Sequence, residues 1–83
     1  MTPKITALIV DDEQDARDGL ERLIETEIAE LEIIGKAENA QNALEMIVDE
    51  SPEIVFLDIQ MPGKDGFWLA DKLGELHVVS AII

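Results

Sequence analysis

The chain has 83 residues, 47% of them apolar and none of them cysteine. That composition fits one small globular domain with a thin core, and it excludes a disulfide-stapled fold or a thiolate zinc site. Its 19 acidic and 6 basic residues give a net charge of −13, which repels nucleic-acid phosphates and anionic lipid and argues against direct DNA or membrane binding by this chain. The start Met1-Thr2-Pro3-Lys4 lacks the charged and apolar regions of a signal peptide, and no apolar run approaches the roughly 18 residues of a membrane span, so a soluble cytoplasmic protein is expected.

Ile5 to Val10 is apolar and β-branched, long enough for a strand and short for a helix. It stops at Asp11-Asp12-Glu13. Ala16, Leu20, Leu23, Ile24 and Ile28 then share one helical stripe with charges opposite, and acids near its start suit the positive end of a helix. Leu31 to Ala37 reads as a second strand. Asn39 is a good N-cap for a second helix carrying Ala40, Ala43, Leu44, Ile47 and Val48. Ser51-Pro52 ends that helix, because Pro pushes the preceding residue out of the α region. Ile54 to Leu57 is a continuous apolar run, as in a strand covered on both faces. It stops at Asp58. A loop from Ile59 to Gly66 leads to a third helix with Phe67, Ala70 and Leu73 on one side. His77 to Ile83 reads as the start of a fourth strand.

The βαβαβαβ pattern predicts an α/β fold, a doubly wound parallel sheet with right-handed crossovers and helices on both faces. In such a sheet, functional groups collect outside the carboxyl ends of the strands where the strand order reverses. With the order 2-1-3-4, Asp11 and Asp12 after strand 1 and Asp58 after strand 3 converge. Two unit charges about 5 Å apart repel by roughly 3 kcal/mol at an effective dielectric near 20. Hard oxygen ligands of this kind suit Mg²⁺, which would offset the repulsion and let a phosphoryl group approach a carboxylate. Asp58 could then act as a nucleophile and form an acyl phosphate. Each piece alone is more often a cap or a turn than part of a metal site; the combination and order carry the reading.

Leu8-Ile9-Val10-Asp11-Asp12-Glu13 and Phe56-Leu57-Asp58-Ile59-Gln60-Met61-Pro62-Gly63-Lys64-Asp65-Gly66 resemble the first two sequence blocks of receiver domains in two-component response regulators. The resemblance runs over the whole chain. It implies a flavodoxin-like fold and a signalling module rather than an enzyme. It implies that Asp58 is the phosphoacceptor and that Mg²⁺ is held by Asp12, Asp58, the Gln60 backbone carbonyl and, through water, Asp11. A sensor histidine kinase is the implied phosphodonor, and the output is implied to lie in an effector domain absent from this chain. Ala16-Arg17, Gly19-Leu20 and the Asp58 to Gly63 run are similar to regulators with a LytTR-type DNA-binding domain. Receivers of this family have five strand–helix units, so residues 1–83 are expected to be a receiver domain incomplete at its C-terminus. The family's Thr or Ser after strand 4 and its Lys after strand 5 have no counterpart. Lys4, Lys36, Lys64 and Lys72 are not placed to substitute.

Two other functions stay open. One is a receiver-like binding or dimerisation module that never carries phosphate; an apolar fourth strand at a sheet edge would favour self-association. The other is a phosphohydrolase with an Asp nucleophile, which usually has a second Asp two positions later, where this chain has Gln60. Among the remaining residues, Phe56 and Phe67 are expected in the core, Trp68 partly exposed, and His77 in a loop. Met46 and Met61 need no cofactor to explain them, and Lys64-Asp65 reads as a solvated turn.

Overall fold

The computed structural model describes residues 4–61 and 65–82. The chain runs β1 (Ile5–Val10), α1 (Gln14–Glu27), β2 (Leu31–Ala37), α2 (Ala40–Glu50), β3 (Ile54–Leu57), α3 (Asp65–Glu75) and β4 (Val79–Ile82). All strand pairs are parallel and the order is β2-β1-β3-β4. The chain thus turns one way from β1 to β2 and the other way from β2 to β3. Right-handed crossovers then place α1 on one face and α2 and α3 on the other. Among the described residues, no helix is long and apolar enough to cross a membrane.

β1 lies inside the sheet, and Ala7 to Val10 are all buried. Alternation sends Leu8 and Val10 to one face with Val55 and Leu57 of β3. There they meet Ala40, Ala43 and Ile47 of α2 and Leu69 and Leu73 of α3, with Met61 closing the layer. Ile9 points the other way, to the face of α1, whose one buried residue is Ile24. The register of β1 on β2 slips between Ala7 and Leu8, which pair with Ile33 and Gly35, so Ile34 is an extra residue in β2. A Cβ on Gly35 would lie 3.2 Å from Leu8 Cδ1 and 3.3 Å from Met46 Sδ, so the small residue lets α2 lie close to the bulged strand.

Local chemistry sets the helix ends. The Asn39 side chain accepts the Asn42 amide at 2.8 Å and caps α2. Ser51 ends α2 in the left-handed region, with φ 49°, and its amide donates to the Ile47 carbonyl. Lys36 of β2 ties α1 down by ion pairs to Asp18 at 3.1 Å and Glu21 at 2.7 Å. Its hydrogen bond holds the Asp18 carboxyl below the ordinary 3.8. The hydrogen bonds that Lys36 donates to Glu21 and then to Asp18 hold it above the ordinary 10.5.

Several expectations need correction. Phe67 is 65% exposed rather than in the core. Helix α3 begins at Asp65, inside the expected loop, so its buried face is Gly66, Leu69 and Leu73, and Phe67 falls about 100° away from Gly66. Ala70 is half-buried against the core. Leu23 of α1 and Val48 of α2 are 56% and 68% exposed, and Ile28 is exposed beyond the end of α1; the stripes they were assigned to are wider than the surface each helix covers. Phe56 is half-buried and Trp68 is exposed, with Lys72 Nζ 5.8 Å from the ring centroid. His77 sits in a turn with φ 57°. β4 forms the sheet edge and exposes Val79 and Ile82. Lys64 and Ile83 lie outside the described residues, as do Met1 to Pro3, Pro62 and Gly63, whereas Asp65 belongs to α3.

Gly66 is buried against the loop that follows Asp58. A Cβ there would lie 2.5 Å from Ile59 Cα and 2.7 Å from its carbonyl oxygen, a backbone contact that cannot yield like a flexible side chain. Gly66→Ala is therefore expected to lower stability by about 1–3 kcal/mol in urea unfolding. Gly74→Ala on the same helix, with nothing within 4 Å of the added Cβ, should be neutral or slightly stabilising. Equal losses in the two variants would remove the close contact as the explanation. Lys36→Met is expected to lower stability in a pH-dependent way. The Asp18 contribution is present above its unfolded value and fades as pH falls through the depressed folded value. The Lys36 contribution is present below its unfolded value and fades as pH rises through the raised folded one. The difference between parent and variant should thus be a plateau from about pH 5 to 10 that falls away on both sides, and it should shrink with salt. A difference independent of pH would refute the ionic origin.

Candidate functional site

The carboxyl ends of β1 and β3 are stitched together by the main chain. The Asp58 amide donates to the Val10 carbonyl at 3.0 Å, and on the other side of β1 the Asp11 amide donates to the Ala37 carbonyl at 3.1 Å. These bonds carry the ladder past the last strand residues and fix where the next side chains emerge. Asp11, Asp12 and Asp58 each offer a carboxylate oxygen within 4.8 Å of those of the other two. Asp11 is buried, Asp58 half-buried and Asp12 exposed. The group is thus walled by the sheet on one side and open to water on the other.

Both inner carboxylates are oriented by the turn that follows them. Asp11 Oδ1 accepts the Glu13 amide at 3.0 Å, and Asp58 Oδ1 accepts the Gln60 amide at 2.8 Å. Short Asp side chains bond the backbone two residues on in this way, which is one reason Asp favours such turns. Glu13 makes no side-chain cap of its own at the start of α1; the Asp11 carboxylate meets its amide instead. Met61 is buried in the core, and Gly66 presses against Ile59. The Asp58 turn is therefore held at both ends. One further group touches the β1 end: Arg17 Nη1 donates to the Asp11 carbonyl at 2.7 Å.

All three acids singled out from the sequence are brought together. Gln60 lies in the same turn as Asp58, exposed, with its amide engaged. The donor set consists of carboxylate oxygens with an open side for water, which matches the needs of a hard divalent cation such as Mg²⁺. At separations of no more than 4.8 Å each pair of ionised carboxylates repels by roughly 3 kcal/mol or more at an effective dielectric near 20, so the cluster favours a cation. A cleft of about 620 Å³ opens between the N-terminal ends of α2 and α3, lined by Asn39, Gln41, Asn42, Asp65 and Trp68. None of the three acids lines it.

Sequence reasoning did not find Arg17 or the contact of Gly66 with Ile59. A pair of Asp residues followed two positions later by a turn amide was a usable signal for the carboxylate orientation. The reach of Arg17 back to a carbonyl carried none.

The sequence profile described as "Response regulator receiver domain" matches residues 7–83. The chain is 43% identical over 79 residues to a Bacillus cereus protein named "Sensory transduction protein LytT", covering 95% of this chain and 32% of that protein. It is 52% identical over 69 residues to an uncharacterised response regulatory protein of Shewanella oneidensis, covering 83% of this chain and 29% of that one. The chain therefore spans about a third of the length of these curated relatives. Among solved structures, it superposes on the signal receiver domain of the putative response regulator NarL from Mycobacterium tuberculosis with TM-score 0.82 at 26% identity, covering 98% of this chain and 64% of that one. The receiver domain of AraT, a response regulator from Geobacillus stearothermophilus, gives TM-score 0.81 at 29% identity, covering 93% of this chain and 61% of that one. With the expected doubly wound sheet and acidic cluster in place, the chain belongs to the response-regulator receiver-domain family.

Proposed function

We propose that the chain is the phosphoacceptor module of a two-component response regulator, with Asp58 as the acceptor. The observation that carries this reading is the convergence of Asp11, Asp12 and Asp58 within 4.8 Å at the joined ends of β1 and β3. Asp12, Asp58 and the Gln60 carbonyl would hold Mg²⁺, with Asp11 bound through water. The ion would supply positive charge for both the carboxylates and the incoming phosphoryl oxygens.

Asp58 itself does the covalent work. One oxygen accepts the Gln60 amide, which fixes the plane of the carboxylate and leaves its other oxygen to attack phosphorus. A P–O bond forms to Asp58 as the P–N bond of a phosphohistidine on the sensor kinase breaks, and the imidazole takes a proton as it leaves. The product is an acyl phosphate in which the carboxylate has become part of a doubly charged group. The net charge of −13 fits a protein that needs a cation before it can accept such a group, and it disfavours direct contact with nucleic acid. The output stage would lie in the longer relatives, one of which is named as a transcriptional regulatory protein. A cytoplasmic location follows from a kinase phosphodonor. A second reading, a binding or dimerisation module that carries no phosphate, is favoured by one observation, the Val79 and Ile82 side chains exposed on edge strand β4.

Incubation with acetyl phosphate and Mg²⁺ is expected to give a single phosphoryl adduct by intact mass spectrometry. Asp58→Asn should abolish it, and Asp12→Ala should slow its formation by about tenfold or more. An adduct that persists in Asp58→Asn, or no adduct in the parent chain, would overturn the reading. No adduct together with concentration-dependent sedimentation would select the second one.

A further inference from the structure

Asp11 is the most thoroughly held member of the acidic trio. Its amide bonds Ala37, its Oδ1 accepts the Glu13 amide, and its carbonyl accepts the Arg17 guanidinium at 2.7 Å. The first two partners follow from the strand ladder and the turn. The third does not. The pairing of β1 with β2 ends at Val10 and Ala37, so the Asp11 carbonyl lies beyond the paired residues, and a side chain from the first part of α1 meets it. Arg17 is itself half-buried, and its amide is bonded within the helix to the Glu13 carbonyl. The helix that begins after the acidic pair is thereby tied back onto that pair.

Such a tie has two effects of opposite sign on a bound cation. The charge of Arg17 repels any divalent ion in the pocket, and equally for ions of equal charge. Fixing the carbonyl restrains the loop that carries Asp11 and Asp12. Restraint matters most for Mg²⁺, which demands near-octahedral oxygens at about 2.0–2.1 Å; Ca²⁺ accepts six to eight ligands at about 2.3–2.6 Å in loose geometry. We propose that Arg17 is a positioning residue that holds the β1–α1 loop in the shape that favours Mg²⁺ over the larger Ca²⁺. This inference rests on the metal-holding reading of the trio. It makes the selectivity of the pocket depend on a residue that contributes no ligand.

The test is calorimetric titration of the chain with Mg²⁺ and separately with Ca²⁺, for the parent, Arg17→Lys, Arg17→Gln and Arg17→Met. Urea unfolding is run on each as a check of the fold. Arg17→Met is expected to weaken Mg²⁺ binding about tenfold and Ca²⁺ binding much less, so the ratio of the two affinities falls. Arg17→Lys keeps the charge but not the planar fork, and should lie between parent and Met. Unchanged or tighter Mg²⁺ binding in Arg17→Met, the result of removing charge alone, overturns the proposal. So does an equal loss for both ions, the result of a general loosening. If Arg17→Met does not unfold cooperatively, Arg17→Gln makes the same comparison. Asp12→Ala separates the two levels: Mg²⁺ binding that survives it defeats the metal reading itself, whereas binding lost in Asp12→Ala but indifferent to Arg17 defeats only the positioning role.

Discussion

Parallel pairing of β1 with β3 is the constraint on which the acidic site depends. Val10 and Leu57 end their strands side by side, and the bond from the Asp58 amide to the Val10 carbonyl continues that pairing one residue further. Acids from two distant parts of the chain then share one rim. The pairing is secured below the rim by a continuous apolar layer: Leu8, Val10, Val55 and Leu57 press against Ile47, Leu69 and Leu73 from the two helices on that face. Burying each such side chain contributes about 1.5–3 kcal/mol, and it is this layer that holds like charges close.

Among the described residues, those charges are met by local hydrogen bonds rather than by ion pairs. Asp11 and Asp58 each accept an amide two residues on, which orients the two carboxylates. Asp12 stays in water. The ion pairs of Lys36 lie instead between α1 and β2, where they bear on how the helix is seated. Arg17 connects the two regions: it belongs to α1 and grips the end of β1.

Much of this was legible in the sequence because β1 and β3 are largely apolar runs stopped by acids. Leu31 to Ala37 and Ile54 to Leu57 are strands with the expected bounds; the order β2-β1-β3-β4 was a supposition from the sequence, because alternation and handedness leave other orders open, and the structure supplies it. The trio was legible for the same reason, since two acidic stops had to meet once β1 and β3 were neighbours. What failed was helical phase and coverage. Phe67 was misplaced because the buried face of α3 is Gly66, Leu69 and Leu73, with Gly66 fitting against Ile59, a contact that no periodicity records. Leu23 and Val48 fit their stripes, but a stripe does not say how far a neighbouring surface extends. The bond of Arg17 to a carbonyl was hidden because any long cation on that helix reads as a solvated charge.

The bond between the Asp58 amide and the Val10 carbonyl also links ion supply to folding. Because it joins strands far apart in sequence, the three-carboxylate pocket exists only in molecules whose sheet has assembled. A cation that binds the assembled trio and not the open chain draws the folding equilibrium toward the native side, by about 2.7 kcal/mol when its concentration is a hundred times its dissociation constant. For a domain of this size that is a sizeable share of a total stability of about 5–15 kcal/mol. The ionic composition around the protein would then govern how many copies are folded, as well as what the folded copies do.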